Sequence, residues 1–191
     1  MSEVQSWYNT KRDNLIKEFE DYRAEPYLDS EDIPTIGYGT TYYPDGRAVT
    51  LQDEPISEAK AQEFLQHHIK KFSEQIKTAP GFSDLDTATQ SALTSFAYNT
   101  GPNVFTAPEG YETLQGAVKS GDKQQIADAI RLYNNNGLAG LVRRREAEVD
   151  LMNTNYPAME KFQGIVDNFN AIDKTPAAEW RPSQQMPFHR F

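Results

Sequence analysis

The sequence predicts an α+β fold, mostly α overall, in which a small sheet-bearing lobe and a larger helical lobe are joined by one long helix. Three observations predict it. Apolar residues recur at helical spacing through most of the 191 residues. Between Ala24 and Val49 that period gives way to short β-prone runs and turn residues. An unbroken helical pattern from Ser57 to Ile76 then separates this stretch from the helices that follow. Hydrophobic residues at 38% and charged residues at 25% lie in the globular range, enough for one domain with a core plus a tail.

From about Trp7 to Glu20, the residues Tyr8, Leu15, Ile16 and Phe19 follow one helical face, so a first amphipathic helix ends at Glu20. The β-like stretch holds Tyr27-Leu28, Pro34 to Gly39, Thr40 to Tyr43 and Arg47 to Val49. Pro44-Asp45-Gly46 between two such runs signals a turn, and a small antiparallel sheet follows. Gly37 and Gly39 bracket Tyr38; they either let backbone approach a sugar ring or mark a bulge or strand crossing. Ser57, preceded by Pro55, is the expected N-cap of the long helix, whose face comprises Ala61, Leu65, His68, Ile69, Phe72 and Ile76.

Ser83 or Asp86 caps the next helix, whose stripe Ala88, Ala92, Leu93, Phe96 and Ala97 reads as core. Thr100 to Asn103 breaks it. A short helix from Thr113 to Ser120 is stopped by Gly121, and Asp122 with Gln125 resembles a capping box for a helix carrying Ile126, Ala129, Ile130 and Tyr133. Asn134 to Gly137 is a loop of residues that tolerate left-handed backbone, and a last core helix runs from about Leu141 to Met152. After Tyr156 the composition changes. Met159, Phe162, Val166 and Phe169 suggest one more helix before a proline-punctuated end. The expected division is therefore a domain at 1–155 and a C-terminal extension at 156–191, open to wrapping over the domain, docking on a partner, or disorder.

Composition excludes several chemistries. The chain has no cysteine, which removes disulfides, thiolate nucleophiles and Cys-ligated zinc. Of its three histidines, His67 and His68 point about 100° apart on a helix and His189 lies in the tail, so no metal site is expected. Net charge is −9, unsuited to nucleic acid or anionic membranes. The N-terminus has no apolar run after a basic patch, so neither a secretory signal nor membrane insertion is expected. The basic run Arg143-Arg144-Arg145 reads as a solvated helix face or a local partner for carboxylates before it reads as an anion site.

Glu20, Asp29 and Thr35 are the candidate catalytic residues, with eight residues between the first pair and five between the second. That spacing can set two carboxylates and a hydroxyl around one cleft, the layout of a glycosidase. Glu20 ends a helix, where the macrodipole disfavours an anion, and Glu18 and Asp21 are acidic neighbours. Its pKa is therefore expected to rise, as suits a general acid. Asp29 lies in a polar crossing that keeps it ionised; alternatively it is a turn residue capping its own backbone.

These residues resemble the phage-type lysozymes, glycoside hydrolase family 24, over about residues 12–155. The resemblance rests on Glu20, Asp29 and the run Thr35-Ile36-Gly37-Tyr38-Gly39, and on two later segments, Ser95 to Gly101 and Gly140 to Glu148. It implies a lysozyme-like fold and hydrolysis of the β-1,4 bond between N-acetylmuramic acid and N-acetylglucosamine in bacterial peptidoglycan. Glu20 would be the acid. Asp29 and Thr35 would hold the attacking water, giving inversion, with the carboxylates roughly 6.5–9.5 Å apart. Tyr38 and Asn99, inside the matching segments, are expected substrate contacts.

No cofactor is implied. The implied setting is a monomer that waits in the host cytoplasm for a membrane pore made by a holin. The alternative is a virion tail enzyme attached through the extension. A lysozyme-fold structural or glycan-binding virion protein that no longer cleaves is the competing class. Two positions depart from the family pattern: Asp21 stands where Gly is usual, and Thr40 where a His commonly follows the glycine run.

Overall fold

The computed structural model describes residues 1–29 and 31–157. Its compact unit, Met1–Thr154, contains six α-helices and a two-stranded sheet. The expected helix and proline-rich end after Tyr156 lie outside the described residues.

Helix α1 runs Glu3–Glu20, four residues longer at its start than the apolar pattern suggested, because Ser2 caps it by accepting the Gln5 N–H. Strands β1 (Arg23–Leu28) and β2 (Pro34–Gly37) pair antiparallel, with Tyr27 opposite Thr35. Register shifts between Arg23 and Tyr27, where Pro26 has no N–H for a regular ladder. Beyond β2 the chain turns back on itself, Ile36 and Thr40 exchanging two backbone hydrogen bonds of 2.9 Å each. Gly37 and Gly39 take φ of +67° and +78° in this turn, so the two glycines serve a tight reversal of the chain, not a strand crossing.

Helix α2 (Glu58–Ile76) is capped by Ser57, whose hydroxyl oxygen accepts the Lys60 N–H. Its start is tied to the sheet: Ile56 donates to the Ala24 carbonyl at 2.9 Å, and the Tyr22 hydroxyl donates to the Ile56 carbonyl. Ala61, Leu65 and Ile69 of α2 pack with Ile16 of α1 and with Tyr38, a core that joins helix, turn and sheet.

Helix α3 (Thr87–Thr100, capped by Asp86) lies against α1, α2 and α6 (Ala139–Asn153). It buries more than the expected apolar stripe. Thr89, Ser91, Thr94 and Ser95 are inside as well, because neighbours cover the helix all round. Helices α4 (Glu112–Ser120) and α5 (Lys123–Arg131) complete the unit. Asp122 caps α5 by accepting from both Gln124 and Gln125; the reciprocal half of the expected capping box is replaced, since the Asp122 N–H donates to the Ser120 hydroxyl oxygen. No described helix is long and apolar enough to cross a membrane.

Candidate active site

Where α1 meets the sheet, a cleft of about 390 Å³ is lined by Glu20, Asp29, Thr35 and Asn99. Tyr27, Glu31, His68, Phe72 and Tyr98 also line its walls, with Gly39 and Thr41 beside them. Four of the five expected site residues thus share one cavity.

Glu20 is the last residue of α1, and both of its oxygens are constrained. Oε1 meets Arg144 Nη1 of α6 at 2.6 Å, while Oε2 lies against the Gly39 backbone. A Cβ at residue 39 would stand 3.0 Å from Oε2, so the glycine's close approach is to the carboxylate. The expectation for Glu20 considered only the helix end and the acidic neighbours. The structure adds a buried guanidinium that the chain brings from 124 positions away to meet the carboxylate.

Asp29 and Thr35 are both held by the backbone of one residue, Ile33, through its N–H and its carbonyl. Asp29 Oδ1 accepts the Glu31 and Ile33 N–H groups at 2.8 and 2.9 Å, and the Thr35 hydroxyl donates to the Ile33 carbonyl at 3.0 Å. The backbone-capping reading of Asp29 is seen directly, one oxygen capping its own loop, and the same side chain lines the cleft. Thr35 is buried at 2% exposure, with its oxygen still able to accept.

Tyr38 is a correction. Its ring is buried in the core of α1 and α2, its hydroxyl donates to Glu58 at 2.8 Å, and its side chain does not line the cleft. The reason is the Ile36–Thr40 turn, which directs Tyr38 inward between its two glycines. Burial, with Glu58 beside it, pushes its hydroxyl up to about 12. Its backbone does serve the site, accepting a 2.6 Å hydrogen bond from the Tyr98 hydroxyl.

Among the wall residues that the sequence does not single out for the site, Tyr98, His68 and Phe72 form one aromatic side. Tyr98, beside Asn99, is raised by burial and by the Glu20 carboxylate, so it stays neutral. His68 and Phe72, one turn apart on α2, were read as helix face; here they form an aromatic wall continuing to Tyr98, with ring separations of 6.2 and 6.0 Å. Burial lowers the His68 pKa, so its ring is neutral at pH 7. The basic run is likewise revised. Arg143 is exposed, but Arg144 and Arg145 are 3% and 1% exposed and not a solvated face. The carboxylate-partner half of that reading holds, since Arg144 meets Glu20 and Arg145 meets Glu148. Arg145 Nη2 also donates to Asn99 Oδ1 at 2.7 Å, fixing that side chain at the cleft.

An α+β body with paired carboxylates in a cleft beside a long helix defines the class of lysozyme-fold glycosidases, and solved structures agree. The chain is similar to the endolysin from Escherichia coli O157:H7 phage FAHEc1, at 30% identity and a TM-score of 0.65, covering 77% of this chain and 94% of that one. A variant of P22 lysozyme matches at 27% identity and a TM-score of 0.60, covering 76% and 97%. The muramidase domain of SpmX from Asticaccaulis excentricus matches at 25% and 0.59, covering 75% and 95%. No curated protein sequence matches. The phage lysozyme family model matches residues 17–148, and the chain belongs to that family. It is a peptidoglycan hydrolase of the lysozyme type.

Proposed function

We propose that the protein cleaves the β-1,4 bond between N-acetylmuramic acid and N-acetylglucosamine with inversion. Glu20 gives its proton to the leaving glycosidic oxygen as the bond to the anomeric carbon breaks. A water held by Asp29 and Thr35 attacks that carbon from the opposite face and passes its proton to Asp29. The observation carrying this reading is the convergence of Glu20, Asp29 and Thr35 on one cleft. The constraint on all three side chains supports it, since positioned groups need no reorganisation during reaction. Asn99 contacts the glycan from the far wall.

The biological role is phage-driven lysis by a monomer. The catalytic domain is 1–155, and the enzyme is held in the host cytoplasm until a holin opens the membrane. Attachment to a virion tail through 156–191 is the alternative placement.

The test is turbidity loss of purified peptidoglycan by wild type and Glu20→Gln, with mass analysis of fragments and NMR of the newly released anomer. We expect fragments ending in reducing N-acetylmuramic acid, first formed as the α-anomer, and a loss of at least about 10²-fold in the variant. A wild type that binds walls but releases nothing would make the fold a binding module. A β-anomer first product would replace the water-holding role of Asp29 with a nucleophilic one.

A further inference from the structure

Behind the cleft, one stretch of α6 carries Arg144, Arg145 and Glu148, and the Glu148 carboxylate is wholly buried, at 0% exposure. Its Oε1 accepts from the Ser95 hydroxyl of α3 at 3.2 Å and from Arg145 Nη2 at 3.3 Å. Arg144 Nε lies 3.5 Å from Oε1, and Arg145 Nε 2.9 Å from Oε2. Each arginine reaches past Glu148 to a cleft residue: Arg144 to Glu20, Arg145 to Asn99. One buried anion therefore stands behind the two cations that hold the cleft's two walls.

An apolar side chain would fill this helix interface without desolvating a charge. The placement matters because a general acid must keep its proton, and a guanidinium at 2.6 Å favours losing it. Two guanidiniums with no anion between them would strengthen that pull.

We propose that Glu148 is a positioning residue for the catalytic acid, sharing the Arg144 guanidinium with Glu20 and so limiting how strongly that cation draws the proton from Glu20. The inference rests on the reading of Glu20 as the acid. Burial raises the Glu148 pKa to about 7 while Arg145 and Arg144 oppose it, so its charge is present on the alkaline side where Glu20's proton is at risk. The other groups facing Glu20 are Tyr98 from α3, Tyr27 from β1, His68 from α2, Asp21 beside it, and Asp29 and Glu31 of the cleft. All remain when Glu148 is changed.

The experiment is the pH–rate profile of wall hydrolysis for wild type, Glu20→Gln and Glu148→Gln, with thermal unfolding of each. Glu148→Gln is expected to shift the alkaline limb down by about one pH unit, a tenfold loss above the limb that is recovered at lower pH. A uniformly slower enzyme with its limb unmoved would make Glu148 a packing residue and overturn the proposal. Residual cleavage by Glu20→Gln at wild-type rate would instead remove the acid assignment, and this proposal with it. If Glu148→Gln does not fold, carboxyl-carbon NMR of wild type decides. Glu20 should show a second inflection at the pH where the Glu148 carboxyl carbon itself titrates, and it should persist in His68→Gln; a single inflection, or a second one lost with His68, would overturn the coupling.

Discussion

Asp21, immediately after the proposed acid, takes φ 51° and ψ 149°. This is not the left-handed helical well that Asp tolerates but a region close to one used almost only by glycine, at a strain of about 1–3 kcal/mol. It is also an anion at a helix C-terminus, unfavourable to the macrodipole. Asp21→Gly should relieve both, offset in part by glycine's greater freedom when unfolded. We expect a net gain of about 1 kcal/mol, raising Tm by about 2–4 °C in a thermal unfolding scan, with wall hydrolysis retained. A lower Tm would show that Asp21 holds a compensating contact. The local residues of the site were legible because short spacing governs them: Asp29 and Thr35 meet on the backbone of Ile33, the one accepting its N–H and the other donating to its carbonyl. Arg144 and Glu148 were not legible as supports of the cleft. Burying arginine depends on partners brought in by the fold, and nothing in a run of three arginines says which of them points inward.

At the scale of elements, caps and periodicity carried the reading. Ser57, Asp86 and Asp122 each accept an N–H from their own helix's first turn, a local interaction that the sequence announced at Ser57 and Asp122 and narrowed to Ser83 or Asp86 for α3. The inward course of Tyr38 was hidden, because it depends on two positive-φ glycines acting together against a helix reached 20 residues later. The loop after β2 shows how an irregular element is held. Asp53 accepts from the Thr50 N–H and the Tyr43 hydroxyl at 2.9 Å each and from Arg47 at 2.8 Å. Chiefly through the Thr50 N–H, these bonds depress its pKa to about 2. For a depressed carboxyl, the stabilisation is complete above the unfolded value near 4 and is lost as pH falls through about 2. Amide exchange at Thr50, corrected for intrinsic rates, should therefore quicken between pH 4 and 2 in wild type, and Asp53→Asn should be fast throughout. Equal protection at pH 5 in both proteins would show that the loop is held without this carboxylate.

For the whole molecule, charge sets how the enzyme meets its polymer. The extension from Tyr156 carries four acidic and four basic residues, so the net −9 rests on residues 1–155. The cleft repeats this imbalance, lined by Glu20, Asp29 and Glu31 with no lysine or arginine among its wall residues. The wall is itself anionic, and the approach of two like-charged bodies is opposed over distances comparable to the Debye length, about 30 Å at 0.01 M salt and about 10 Å at 0.1 M. The chemistry inside the cleft is shielded from this effect, because the Glu20–Arg144 contact is largely buried and salt screens buried pairs weakly. Ionic strength should consequently act on encounter and KM and leave kcat nearly unmoved. We expect hydrolysis of intact walls to rise from 0.01 to 0.15 M salt, with kcat/KM carrying the gain, and an uncharged chitooligosaccharide to show no such rise. A profile that is flat or falls with salt would mean that cations on the surface make the contact with the wall, and that the overall charge does not govern the encounter.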